Sequence, residues 1–93
     1  MVELKDTIEL MQSEDYKERF KAEYYQTKIR YERLKAFNTK IEAANAAKYA
    51  TSPVTLREPR HDCPESLLRE QQTVMGNYLH ILEVRAEIEG VEL

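Results

Sequence analysis

The sequence predicts an all-α protein, a short N-terminal helix followed by a long antiparallel helical hairpin, assembled as a homo-oligomer. Three observations carry this. From 14 to 50 there is neither proline nor glycine, and Phe20, Tyr24, Thr27, Tyr31, Leu34, Asn38 and Ile41 recur at alternating steps of four and three. Such spacing lays them along one stripe of a helix. A second proline-free stretch, 65–89, carries Leu67, Leu68, Val74, Met75, Tyr78, Leu79, Ile81, Leu82, Val84 and Ile88, which cover two adjacent stripes. An antiparallel partner helix buries one stripe, and an exposed apolar strip of that length exceeds what a monomer usually shows, so the other calls for a further copy of the chain.

Taken in order, the chain reads as a single helical-hairpin domain, 1–93. In 1–12, Val2, Leu4, Ile8, Leu10 and Met11 stand among Glu3, Asp6 and Glu9, a pattern that suits an amphipathic helix of about three turns. Ser13 is expected as the N-cap of the next helix, with Glu14 and Asp15 at the positive end of its dipole. That helix spans 14–50 and ends in the alanine-rich run Ala43–Ala47, where only Asn45 lowers the propensity. Pro53 and Pro59 mark 51–63 as an extended hairpin loop. The second helix spans 64–89, with Pro64 in its first turn, Gly90 in the left-handed position that ends many helices, and Val91 as the apolar contact after it. Gly76, inside that helix, is expected to mark close helix approach. Asn38, Asn45 and Gln71 fall on or near seam positions, where a polar residue costs stability and can fix register.

Composition bounds the function. A chain of 93 residues buries only about 60–65% of its unfolded surface, so assembly is the expected remedy for a marginal core. Its one cysteine, Cys63, allows no intrachain disulfide, no apolar run approaches a membrane span, and the N-terminus lacks the plan of a secretory signal. The expected location is the cytoplasm. Charge is unevenly divided: Tyr16–Lys40 holds eight lysines and arginines against three glutamates, +5 within a chain whose total is −3.

Five of the six tyrosines precede the loop and interleave with this positive charge. Aromatics and cations so mixed can stack planar bases and neutralise phosphates; they can equally be packing and a solvated face. Long DNA or RNA is a poor partner for an acidic protein with no dense basic run, because that affinity needs many phosphate contacts. A small anionic nucleotide needs few. His61-Asp62-Cys63 has no second Cys or His nearby to complete a metal site, and His80 lies on the other helix among apolar residues. No histidine or serine completes a hydrolytic set beside Glu83, Glu87, Glu89 and Glu92, and no glycine-rich phosphate loop exists. No enzyme, no cofactor and no metal are expected.

Two motifs carry a family resemblance. Tyr16-x-x-Arg19 followed by Glu23, Arg30, Leu34 and Phe37, and Leu67-Leu68-x-x-Gln71-x-x-x-Met75-x-x-Tyr78-x-x-Ile81-Leu82-x-x-Arg85, resemble the two long helices of the phage anti-CBASS proteins that sequester cyclic oligonucleotides. The same helical hairpin recurs in the Thoeris anti-defence sponges. The resemblance covers roughly 15–89 apart from the loop; the segment before Ser13 has no counterpart. It implies a symmetric homo-oligomer, a hexamer in the described cases, that holds ligand at protomer junctions. Carried onto this chain, it implies that Tyr16 stacks on a base and Arg30 holds a phosphate, helped by Lys17, Arg19 or Lys28. Lysine is usual where Arg30 stands, and arginine grips phosphate bidentately with more bulk.

The expected function is therefore an anti-defence sponge for a cyclic nucleotide signal, whether cyclic dinucleotide, cyclic trinucleotide or cyclic ADP-ribose isomer, bound without cleavage. The alternative is a helical module that binds or inhibits a host effector protein; a purely structural assembly role is the third. Self-association is expected through Leu68, Met75, Leu79 and Leu82, or through the neighbouring Leu67, Val74, Tyr78 and Ile81.

Overall fold

A computed structural model describes residues 2–51 and 55–93; Pro53 lies outside them. Three α-helices are present: α1, Thr7–Gln12; α2, Tyr16–Ala46; and α3, Glu65–Glu89. Single 3₁₀ turns, Leu4–Asp6 and Ala47–Tyr49, precede α1 and follow α2. Among the described residues there is no strand. The helices α2 and α3 pack as a hairpin about 54 Å long and 25 Å across, with α1 laid back on α2.

The cap of α2 is Asp15, whose Oδ1 accepts the Lys17 N–H at 3.0 Å. Ser13, expected in that role, instead ends α1 and accepts the Asp15 N–H through Oγ at 3.0 Å. With Asp15 two residues further on and its carboxylate aimed at the free amides, the later residue wins the cap. The N-terminal helix is also shorter than three turns. Asp6 accepts the Glu3 N–H and Thr7 Oγ1 donates to the Leu4 carbonyl at 2.7 Å, so local side-chain bonds hold the first turn in the tighter form.

Across the seam, Phe20 and Tyr24 of α2 pack with Leu79, Leu82 and Ala86 of α3, while Asn38, Ile41 and Ala44 are buried further along α2, Asn38 meeting α3 at Leu68 and Gln72; Leu68, Gln72 and Met75 continue the α3 stripe half-buried. Ile41 and Leu82 are fully buried, each contributing about 1.5–3 kcal/mol by leaving water. Burial on α2 ends at Ala44, and two residues later the helix tightens and stops, short of the expected residue 50. Alanine propensity does not extend a helix that has no neighbour to pack on. Midway, the helices approach so closely that a Cβ on Gly76 would stand 3.2 Å from Tyr31 Cε1. At the other end Gly90 takes φ 72°, and Val91 donates to the Ala86 carbonyl at 2.9 Å and buries its side chain with Phe20, Tyr24 and Leu82.

The polar seam residues separate. Asn38 is buried and donates through Nδ2 to Gln72 Oε1 at 2.9 Å and to the Leu68 carbonyl at 3.2 Å, while its Oδ1 has no protein partner. Gln72, not Gln71, is the seam glutamine; Gln71 is exposed. Asn45 faces the connection, donating to Glu58 at 3.0 Å. That connection is further tied down by His61, whose ring meets Phe37 edge-on and bonds the Cys63 carbonyl at 2.7 Å.

The stranded Asn38 oxygen costs stability that an apolar residue of similar size would recover. Asn38→Leu is expected to leave thermal stability unchanged or raise it by about 1 kcal/mol. A drop of more than that in chemical denaturation would show that the amide is a net stabiliser.

Candidate functional site

The positive stretch of α2 supplies the candidate site, and its first turn is anchored to the last turn of α3. Tyr16 donates its hydroxyl to Glu89 Oε1 at 2.9 Å and accepts from Arg85 Nη2 at 2.6 Å, while Arg85 Nε reaches Glu89 Oε2 at 2.8 Å. The Arg85 guanidinium lies 5.1 Å from the Phe20 ring centre, and Tyr16 meets the same ring edge-on at 6.2 Å. The network shifts proton affinities in the expected directions. Glu89 is held below the ordinary glutamate value, first by the Arg85 bond and then by Tyr16, and Tyr16 is raised, first by its bond to the carboxylate. About two helical turns beyond Tyr16, Tyr24 is buried and donates to Glu83 at 2.6 Å; burial, then the carboxylate, push its hydroxyl strongly upward.

Tyr16 is nonetheless 48% exposed, and its two hydroxyl bonds hold the ring in place. Two of the cations grouped with it by sequence have backbone partners: Lys17 Nζ donates to the Gly90 carbonyl at 3.2 Å, and Arg19 Nη1 to the Ser13 carbonyl at 2.8 Å. They fasten the ends of α3 and α1. Lys28 and Arg30 are exposed, with Lys28 Nζ 5.8 Å from the Tyr24 ring centre and no ion pair for Arg30 among the described residues. Arg30 lies fourteen residues beyond Tyr16 on a continuous helix, a rise of about 21 Å. The structure does not bring their side chains together within one chain.

A groove of about 800 Å³ runs between the N-terminal segment and α2. Val2, Glu3, Leu4 and Lys5 form one wall, and Tyr25, Lys28, Ile29, Glu32 and Arg33 the other. It brings Lys28 together with Tyr25, Ile29 and Arg33, a grouping the sequence reading missed. The signal was present: 25, 28, 29, 32 and 33 form their own helical stripe beside the seam. What covers that stripe depends on how α1 folds back, where Gln26 Nε2 donates to the fully buried Thr7 hydroxyl at 3.0 Å. Among the described residues no cluster of three His, Cys, Asp or Glu could hold a metal ion, and no helix is long and apolar enough to cross a membrane.

The oligomer residues named from sequence divide between the two faces of α3. Leu79 and Leu82 are buried inside the hairpin and Leu68 and Met75 are half-buried there, whereas Leu67, Val74, Tyr78 and Ile81 are exposed.

A family model named Sequestin matches residues 14–88, from the turn before α2 almost to the end of α3. The chain belongs to the Sequestin family. Family membership makes it a sequestering protein, and the match encloses the Tyr16, Lys28 and Arg30 positions while leaving out the N-terminal segment that walls the groove. No curated protein and no solved structure matches the chain.

The latch predicts a pH dependence. A carboxyl lowered in the folded state contributes stability above its ordinary value near 4.5, and that contribution is lost as pH falls through the lowered value. Hydroxyls raised in the folded state act oppositely: Tyr16 and Tyr24 contribute below their ordinary value of 10.0 and lose it as pH rises past the raised values. Glu89→Gln should therefore flatten the acid limb of a plot of Tm against pH and leave the limb near neutrality unchanged in slope. An acid limb identical to that of the parent protein would show that the Glu89 latch contributes nothing.

Proposed function

We propose that this protein is a non-enzymatic sponge that sequesters a cyclic nucleotide immune signal, in keeping with the resemblance of its two helices to phage anti-CBASS and Thoeris anti-defence proteins. The Sequestin match carries the sequestering half of this reading. The ligand class is supported by α2, which presents a half-open tyrosine ring and exposed cations on one positive helix. Tyr16 stacks on a base and Arg30 holds a phosphate. Because about 21 Å of helix separates them, the two come from different protomers of a homo-oligomer, and the pocket exists only in the assembly. The bonds from Tyr16 to Glu89 and Arg85 hold the ring in place before ligand arrives, which lowers the ordering cost of binding. Lys28 adds a second positive charge near Arg30, whereas Lys17 and Arg19 act through their field and not by contact. On this reading the ligand is held without covalent chemistry and leaves as it entered.

A second reading, a helical module that docks on an effector protein, is favoured by the exposed apolar face of α3. Absorbance separates the two. A protein without tryptophan reveals co-purified nucleotide in its 260 to 280 nm ratio before and after denaturation, and a thermal-shift panel of cyclic dinucleotides, cyclic trinucleotides and cyclic ADP-ribose isomers identifies the class. Stacking and a charge-assisted phosphate contact are each worth about 1–3 kcal/mol. Tyr16→Ala and Arg30→Ala are thus each expected to weaken binding roughly tenfold or more while the assembly persists, with the ligand recovered intact after proteolysis. A hydrolysed or linearised product would make the protein an enzyme, and a panel with no stabilising member would favour the docking reading.

A further inference from the structure

The groove between the N-terminal segment and α2 has a layout that neither the hairpin nor the nucleotide reading uses. On α2, Tyr25, Ile29 and Arg33 stand four residues apart and so follow one line along the helix. From first to last they span about 12 Å, in the order aromatic, aliphatic, cationic. The Tyr25 ring is held from behind: it meets the Tyr24 ring edge-on at 5.3 Å and packs on the hairpin core. The facing wall brings Val2 and Leu4.

Local hydrogen bonds fix that wall before any ligand arrives. Asp6 accepts the Glu3 N–H at 2.9 Å, and Thr7 Oγ1 donates to the Leu4 carbonyl at 2.7 Å. The same Thr7 hydroxyl, fully buried, accepts from Gln26 Nε2 at 3.0 Å. The first turn is thus committed to its tight form and pinned to α2 by a polar contact, and about 800 Å³ is left between the two walls. Small-molecule sites have this character: preformed, mostly apolar, of several hundred Å³, with a few polar groups to fix orientation.

Charge selects the ligand class. Lys5, Lys28 and Arg33 in the lining stand against Glu3 and Glu32, which leaves one positive charge. Lys5 is paired with Glu3 at 3.3 Å on the outer wall, whereas Arg33 has no ion pair among the described residues. Its guanidinium is a planar fork that can hold a carboxylate through two parallel hydrogen bonds. We propose that the groove binds a small aromatic monoanion, its planar apolar body lying along Tyr25 and Ile29 and its single carboxylate on Arg33. Lys28, on the flank, adds to the positive field. A flexible alkyl acid carries the same charge, but it loses more conformational freedom on binding and makes no ring contact with Tyr25.

The groove is separate from the proposed nucleotide boundary. Tyr16 and Arg30 do not line it, and its N-terminal wall lies outside the matched residues 14–88. A ligand with two or more phosphates brings more negative charge than the lining balances, and Glu32 opposes the excess.

The test uses β-naphthoate as the probe, titrated into the full chain with its methyl groups labelled for NMR. Methyls of Val2, Leu4 and Ile29 are expected to shift and saturate together, while those of Leu67, Val74 and Ile81 on the outer face of α3 stay unmoved. Naphthalenemethanol, the same body without the charge, should bind about tenfold more weakly or worse. Arg33→Glu changes an exposed side chain, so its circular dichroism should match the parent while naphthoate binding falls by about tenfold or more. Arg33→Lys, which keeps the charge and loses the fork, should lie between, and Tyr16→Ala should leave naphthoate affinity unchanged. Shifts confined to the α3 face, equal binding of naphthoate and naphthalenemethanol, or undiminished binding by folded Arg33→Glu would each overturn the proposal. So would tighter binding of decanoate than of naphthoate, or displacement of naphthoate by a cyclic dinucleotide, which would make the groove part of the nucleotide site.

Discussion

Everything in this molecule depends on the packing of α2 against α3, and within it on the contact at which Tyr31 closes over Gly76. A side chain larger than hydrogen at that point would meet the tyrosine ring at 3.2 Å. The glycine costs the helix about 1 kcal/mol in propensity. In exchange two helices approach closely over several turns, and the stripe of Leu79, Leu82 and Ala86 reaches Phe20 and Tyr24. From that seam the positions of every other group follow: the Tyr16 latch at one end, the buried Asn38 pair toward the other, and the exposed outer face of α3.

The seam also explains the division of labour among the charged residues. Positive charge gathered on α2 is partly used in fastening the ends of the structure, by Lys17 at the Gly90 carbonyl and Arg19 at the Ser13 carbonyl. Lys28 and Arg30 lie in the middle of the helix, away from either end, and are left facing outward. Under the proposed function that arrangement is useful. Side chains that folding does not consume, carried on a long helix fixed at both ends, are free to meet a ligand in a defined geometry.

Polar residues within the seam and the latch act differently from the apolar ones. Tyr24 with Glu83, and Tyr16 with Arg85 and Glu89, join the two helices through hydrogen bonds at a fixed axial level. Asn38 does the same through Gln72 at the cost of an unpartnered oxygen. Apolar stripes repeat every heptad and tolerate sliding by seven residues; directional bonds between unlike side chains do not. Register in this hairpin is thus specified by a few polar pairs, and its stability comes from the aliphatic and aromatic surface between them.

The sequence by itself determined the helices, the seam on α2, the two stripes on α3, the Gly90 stop and the close approach at Gly76. All of these are local or periodic properties, readable from spacing and from the backbone preferences of proline and glycine. It misplaced the cap of α2 by two residues, because Ser13 and Asp15 are both competent and only geometry shows which side chain meets the free amides. It named Gln71 where the structure uses Gln72, because adjacent positions on a two-stripe helix differ by about 100° and composition does not say which stripe faces inward. Only the tertiary structure decided that Thr7 is buried, that Tyr25, Lys28 and Arg33 share a groove, that Lys17 and Arg19 have carbonyl partners, and that Tyr16 is latched by Arg85 and Glu89. The periodic parts of these groupings, the 25, 28, 29, 32 and 33 stripe and the Arg85–Glu89 pair, are legible in the sequence, but the segments that complete them are brought in from elsewhere in the chain. Their completion depends on the angle at which α1 folds back and the level at which α3 ends, and three-dimensional packing sets both.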